Sequence, residues 1–255
     1  MSGGAFLEAG VSDDWGLIAS TMTVGRTGGA GKFTRLDSYY LRDFPENLTR
    51  LVIGDTVTDA RDWSRQVRFG GVRFGTEFGL QPELVTFPVP EFADRAAVPS
   101  NVELLVNDAL RYQGQIDQGP FSINQIPVVT GAGEVTLVVR DALGVERRVR
   151  TPYYVSSRLL SRGLSAWSLE AGAERRDYGF RSFHYANPFA AGSYRRGLTD
   201  WLTVESRTEL SGNVQMAGAG VNVVLPAVGE FGAAAALSRG EDGSGGLYRI
   251  FFSRI

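Results

Sequence analysis

The sequence predicts an all-β protein: a partial transmembrane antiparallel β-barrel with a small β-sandwich inserted into it. Three observations carry this. Two long arms hold segments of roughly ten residues in which apolar side chains alternate with small or charged ones. A central stretch of shorter alternating segments has its own turn chemistry. The composition, with 32 glycines and aromatics at 11% of 255 residues, suits many strands and tight turns.

The central module runs from Ala96 to Tyr154. Val102, Leu104 and Val106 alternate with Glu103 and Asn107, and Val135, Leu137 and Val139 alternate with Thr136 and Arg140. A period of two marks strands with one buried face. Turns are expected at Asn107-Asp108, Gly119-Pro120, Gly131-Ala132-Gly133 and Asp141-Ala142-Leu143-Gly144. Five or six short strands so spaced read as a β-sandwich. The chain therefore divides into first barrel strands at 1–95, the sandwich at 96–154, and further barrel strands at 155–255.

The N-terminal arm predicts strands over Trp15 to Val24, Phe33 to Leu41, Leu51 to Asp55 and Val67 to Phe74. Gly70-Gly71 inside the last marks a bend or a close backbone approach. In the C-terminal arm, Leu202, Val204, Ser206, Thr208 and Leu210 share one face, and Thr203, Glu205, Arg207 and Glu209 the other. Trp167, Leu169, Ala171 and Ala173 oppose Ser168, Glu170, Gly172 and Glu174. Phe231 to Leu237 and Tyr248 to Phe252 alternate likewise.

Such segments fit a barrel whose apolar face meets lipid and whose polar face lines a wet lumen. They also fit a soluble antiparallel sheet with a dry core, and periodicity alone does not separate the two. Chain length favours the barrel. Setting aside about 60 residues for the module leaves about 195 of the 255, enough for roughly 11 or 12 spanning strands. No helical layer is predicted to cover a sheet of that size, and barrel closure hides edges. The alternative is a soluble or surface β-sandwich module that binds a partner or carbohydrate with its loops. The outward residues discriminate: Trp167, Leu169, Phe231, Tyr248, Ile250 and Phe252 would form one belt in the first case and converge into a core in the second.

Enzymatic readings find little support. The single histidine, His184, stands in the aromatic run Phe183-His184-Tyr185-Ala186-Asn187-Pro188, and no Gly-x-Ser-x-Gly elbow accompanies it. With no cysteine and no second histidine, a transition-metal cluster has no ligands. Gly28-Gly29-Ala30-Gly31-Lys32 fails as a phosphate loop, because Arg26 replaces the first glycine and Phe33 the Ser or Thr. Asp55, Asp59 and Asp62 lack the glycine and closing glutamate of a calcium loop. A net charge of −2 points to no nucleic-acid partner. No cofactor is expected. Met1-Ser2-Gly3-Gly4 carries no signal-peptide pattern.

An ordered set of motifs then resembles the outer-membrane fimbrial ushers of the chaperone–usher pathway. Arg35-Leu36-Asp37-Ser38-Tyr39-Tyr40, Leu51-Val52-Ile53-Gly54-Asp55-Thr56 and Phe69-Gly70-Gly71-Val72-Arg73-Phe74 are similar to early barrel strands of that family. Gly119-Pro120-Phe121-Ser122-Ile123-Asn124 is similar to its plug motif, and Val138 to Gly144 with Thr151-Pro152-Tyr153-Tyr154 to the plug's exit. Leu159-Leu160, Gly163 to Gly172, Arg175 and Tyr194-Arg195-Arg196-Gly197-Leu198-Thr199 resemble the resumed barrel. The resemblance covers residue 14 onward.

It implies an outer-membrane translocation pore, gated by the plug, for assembly and secretion of pilus subunits. The implied partners are those subunits, periplasmic chaperone–subunit complexes and outer-membrane lipid. Gly119, Pro120, Phe121 and Asn124 would be the plug motif, read as a turn and a core anchor. Phe92, Asp94, Tyr154 and Val155 would lie at the plug tethers. Glu170, Glu174, Glu205, Arg207 and Glu209 would face the lumen, where polar contacts to the plug break at little hydrophobic cost. Family barrels have about two dozen strands, so this chain reads as a fragment.

Overall fold

The computed structural model describes residues 3–27, 30–90, 92–123, 130–212, 214–241 and 243–254. Five strands come first: β1 (Gly3–Asp13), β2 (Gly16–Thr27), β3 (Ala30–Phe44), β4 (Thr49–Val57) and β5 (Arg68–Thr76). An insert follows, with β6 (Phe92–Ala96), β7 (Ser100–Val106), β8 (Ala109–Ile116), β9 (Gly119–Ile123), β10 (Gly131–Asp141) and β11 (Glu146–Val155). Six strands complete the chain: β12 (Ser165–Arg175), β13 (Tyr185–Thr199), β14 (Leu202–Ser211), β15 (Val214–Leu225), β16 (Gly229–Gly240) and β17 (Gly243–Ser253).

β1 to β5 and β12 to β17 form one eleven-stranded antiparallel sheet in sequence order, with β5 paired to β12 across the insert. The insert is a four-stranded sheet, β11-β10-β7-β8, facing the two-stranded β6-β9. Between them lies a core of Val102, Leu104, Val106, Ile123, Val135, Leu137, Val139, Tyr153 and Val155, against which Phe121 packs. Burial of each aliphatic side chain contributes roughly 1.5–3 kcal/mol.

Local chemistry explains the insert's hairpins. Asn107 and Asp108 both adopt positive φ, 50° and 64°, the type I′ turn that matches strand twist. Gly144, at φ 84°, closes the β10–β11 turn, where the Asp141 carboxylate accepts the amides of Leu143 and Val145. Two expected turns are strands instead. Gly119-Pro120 opens β9 and Gly131-Ala132-Gly133 opens β10, because the positive φ of Gly119 and Gly131 turns the chain on entry to a strand rather than between strands.

Three strands exceed the sequence expectation: β1, β15 and the first half of β13. Pro188 lies within that half. It precedes the first β13–β14 rung, Phe189 to Ser211, so its missing N–H interrupts no ladder bond.

The two faces of the large sheet differ. Leu169, Val221, Phe231, Leu237, Tyr248, Ile250 and Phe252 are all exposed on the outward face, Ile250 at 87%. They do not converge into a core, which removes the soluble-sandwich alternative for the arms. Aromatic rings collect at the end where the insert attaches. Trp15 stacks on Tyr40, Phe44 meets Phe74 edge-on, and Phe74 meets Trp167. Such a band is the girdle of a membrane barrel.

The inward face wraps around a loop. Loop 58–67 leaves the sheet between β4 and β5 yet reaches side chains from β12 to β17. In a flat sheet the six spacings from β5 to β17 would span about 29 Å. Half of a ten-residue loop extends only about 17 Å. The sheet must therefore curl, with this loop inside the curve.

Candidate functional site

Two polar clusters stand out among the described residues, one on the inward face around loop 58–67 and one at the end of the wall away from the insert. In the first, alternation along β12, β13 and β14 presents Glu170, Ser193, Glu205 and Arg207 to the loop. One Glu170 oxygen accepts the Asp59 amide at 2.5 Å and the Ser168 hydroxyl at 2.9 Å. The other lies 3.3 Å from Arg207. Arg207 is 1% exposed; it also donates to the Asp59 carbonyl and pairs with Glu209 at 2.5 Å. Arg61 pairs with Asp59, whose carboxylate accepts the Ser193 hydroxyl at 2.8 Å.

Trp63 is the loop's apolar anchor. It is 7% exposed, and its indole N–H donates to Glu205 at 2.6 Å. The wall beneath it is glycine. A Cβ at Gly218 would meet the indole at 2.5 Å, and one at Gly220 would meet the Glu205 carboxylate at 2.9 Å. Those two glycines on β15 form the seat for the ring.

The segment that leaves the insert joins this cluster. Arg158 pairs with Asp62 of the loop at 3.0 Å and with Glu230 of β16 at 3.4 Å, and it lies over the Phe251 ring. Leu160 donates its amide to the buried Thr203 hydroxyl at 2.8 Å. Leu159 packs with Tyr154 and Val224. The exit segment 156–164 is thus pinned to the wall, and Ser161 bonds across to Thr86 of the entry segment at 2.8 Å.

The second cluster is centred on Asp55. A Cβ at Gly54 would meet the Ser38 carbonyl at 2.3 Å, so glycine lets β4 approach β3 closely. Asp55 then accepts the Ser38 amide at 2.9 Å and pairs with Arg35 and Arg175. The step from Ala173 to Arg175 on β12 faces Pro188 to Tyr185 on β13, so the bulge lies on β13 and carries Tyr185 onto the face of Arg175, where its hydroxyl donates to Asp55 at 2.7 Å. Arg35 and Arg175 both donate to the Ser182 carbonyl, drawing loop 176–184 across this end of the wall. Tyr178 of that loop donates to Asp37 at 2.8 Å. Burial and that bond hold its hydroxyl above the usual tyrosine range.

The expected lumen residues fall as follows. Glu170, Glu205, Arg207 and Glu209 belong to the loop cluster, while Glu174 pairs with Arg176 at 3.3 Å. Among the described residues these five make no hydrogen bond or ion pair to the insert; the polar contacts of Glu170, Glu205, Arg207 and Glu209 hold loop 58–67 and its surroundings. Gly119, Pro120 and Phe121 sit on β9, with Phe121 against the insert core. Asn124 lies outside the described residues. Phe92 and Asp94 fall within β6, and Tyr154 and Val155 within β11. The connecting stretches are 77–90 and 156–164. Asp55, Asp59 and Asp62 each pair with arginine. His184 lies 2.7 Å from Asp177.

Sequence reasoning missed Arg61, Trp63, Arg158 and Glu230, and named Arg35 and Arg175 only as parts of motifs, with no contact assigned to them. Only Trp63 left a signal, a large aromatic amid the polar run Asp59 to Gln66.

A family model described as "Usher: Outer membrane usher protein" matches residues 5–253. The outer membrane usher protein YehB of Escherichia coli K12 is 26% identical over 192 residues, 74% of this chain and 23% of that protein. The crystal structure of the usher PapC translocation pore aligns with 99% of this chain and 56% of its own, at TM-score 0.56 and 18% identity. A cryo-EM structure of the E. coli P pilus tip assembly intermediate PapC-PapD-PapK-PapG aligns with 94% of this chain and 31% of its own, at TM-score 0.62 and 20% identity. These structures share the fold. YehB, FimC of Bordetella pertussis and FasD of E. coli, all usher proteins, are spanned only in part, over 23%, 17% and 25% of their lengths.

Proposed function

The chain belongs to the outer membrane usher family, and on that premise we propose that it forms part of the wall and the gate of a pore for pilus-subunit assembly and secretion. It resides in the outer membrane. Its substrates are pilus subunits delivered by periplasmic chaperones, in keeping with the assembly intermediate whose pore shares this fold. The reading divides the chain into wall strands to about residue 95, a plug over 96–154, and wall strands from 155. It assigns conduction and assembly rather than catalysis.

The observation that carries it is the pairing of faces. Exposed apolar side chains and an aromatic band suit lipid outside. Buried charges and a docked loop occupy the inside, and the insert enters between two neighbouring strands, β5 and β12. Both tethers leave from one place, so the insert can move as a unit. The pinned exit segment confines that motion to the residues between Val155 and Leu159 and to the entry side.

Deletion of 92–155 in the full chain tests the proposal. In planar bilayers, the parent should conduct in small, infrequent steps and the deletion in large, sustained ones. Equal conductance in the two would overturn the gating role. Failure of either to insert would overturn the pore.

A further inference from the structure

The outward face carries a feature that the pore function does not use. Register places Ser165 opposite Arg196, Trp167 opposite Tyr194, Leu169 opposite Gly192 and Ala171 opposite Ala190. All eight point outward. From Arg196 to Ala190 this column changes from cationic, through aromatic, to small and apolar. Ala171, Ala190 and Gly192 floor a groove of about 370 Å³ walled by Phe74, Leu169 and Leu210. At the aromatic end, the Tyr194 hydroxyl lies 3.2 Å from the Ser165 hydroxyl, with the Arg196 guanidinium beside it. Arg196 is exposed and has no carboxylate partner among the described residues. Arg195, its neighbour on the other face, is instead directed at Glu205.

We infer that this column is a binding site for one anionic glycerophospholipid of the leaflet on the insert's side. Its phosphate would sit on Arg196, Tyr194 and Ser165, and one acyl chain along the groove over Gly192. The inference rests on the membrane-spanning reading of this face. Charge complementarity selects the ligand. An uncompensated guanidinium at the membrane interface attracts anionic headgroups, and two hydroxyls beside it supply donors to phosphate oxygens. The aromatic band of Phe44, Phe74 and Trp167 sets the depth of that interface. Gly192 and Arg196 are four residues apart, about 13 Å along the strand. A headgroup at Arg196 therefore places the chain below it in the apolar groove.

The test is native mass spectrometry of the full chain, purified in detergent and titrated with dioleoylphosphatidylglycerol or dioleoylphosphatidylcholine. Arg196→Gln should weaken phosphatidylglycerol binding about fivefold, with Arg196→Lys retaining most of it. Gly192→Leu fills the groove with the cation intact and should lower retained lipid as well. A Cβ there meets Leu169 at an ordinary 3.5 Å, so the fold tolerates the change. Arg42→Gln, at another outward arginine, stacked on Phe44, should cost less than Arg196→Gln. Parent-level binding in Arg196→Gln, or equal losses in Arg196→Gln and Arg42→Gln, would overturn the site. So would a Gly192→Leu variant that only converts a self-associated form to monomers, which would make the groove a contact between copies. A chain that never enters bilayers refutes the membrane reading itself; one that inserts normally but shows any of these outcomes refutes the lipid site alone.

Discussion

Replacing Trp63 by alanine should free loop 58–67 while leaving the wall intact. The indole is 7% exposed, seated over Gly218 and bonded to Glu205 at 2.6 Å. Truncating a buried tryptophan costs about 3–5 kcal/mol, part of which here is a hydrogen bond to a carboxylate. Tenfold in an equilibrium constant is about 1.4 kcal/mol. The open-loop population should therefore rise between about one hundred- and several thousand-fold. The cost falls on the loop because its described backbone bonds are few. Thr58 donates to Val67 and Ser64 to Arg61, while the Asp59 amide depends on Glu170. Hydrogen exchange of the reconstituted protein reads this directly. Protection of the Asp59, Arg61 and Ser64 amides should fall by those factors, with β12 to β16 unchanged. If these amides exchange equally in parent and variant, the docking argument is wrong. If the strands lose protection too, Trp63 supports the whole wall rather than the loop.

Three other expectations follow from the same contacts. Arg207→Met leaves Glu170 buried without its cation, a loss of about 3–5 kcal/mol, so the heat-modifiable gel transition should drop well below the parent's. Asp55→Asn leaves Arg35 and Arg175 without a full countercharge; trypsin should then cut at Arg176 and Arg181 markedly faster as loop 176–184 loosens, and an unchanged rate would refute the clamp. Ala235→Lys, on the outward face near the middle of β16, should cost about 2–4 kcal/mol for refolding into bilayers if that face meets lipid, and almost nothing if it meets water.

The alternation along β12, β14, β16 and β17 was readable because strand geometry projects neighbouring residues to opposite faces. So was the insert, whose turns at Asn107-Asp108 and Asp141 to Gly144 are local events needing no distant partner. The ordered motifs pointed to the family from the sequence alone. The strand count, read as 11 or 12, met an eleven-stranded sheet because spanning length ties residues to strands.

Tertiary structure alone decided the rest. Nothing local tells Tyr185 to join Arg175 and Asp55; the extra residue of β13 opposite Glu174 does that. Nothing near Trp63 announces Gly218, which lies on β15, four places beyond β5 in the sheet. Arg158 reads as one more loop arginine until the curled wall brings Asp62 and Glu230 to it. Periodicity assigns a residue to a face. Which residues meet across that face depends on how the sheet curves, and curvature is a property of all the strands together.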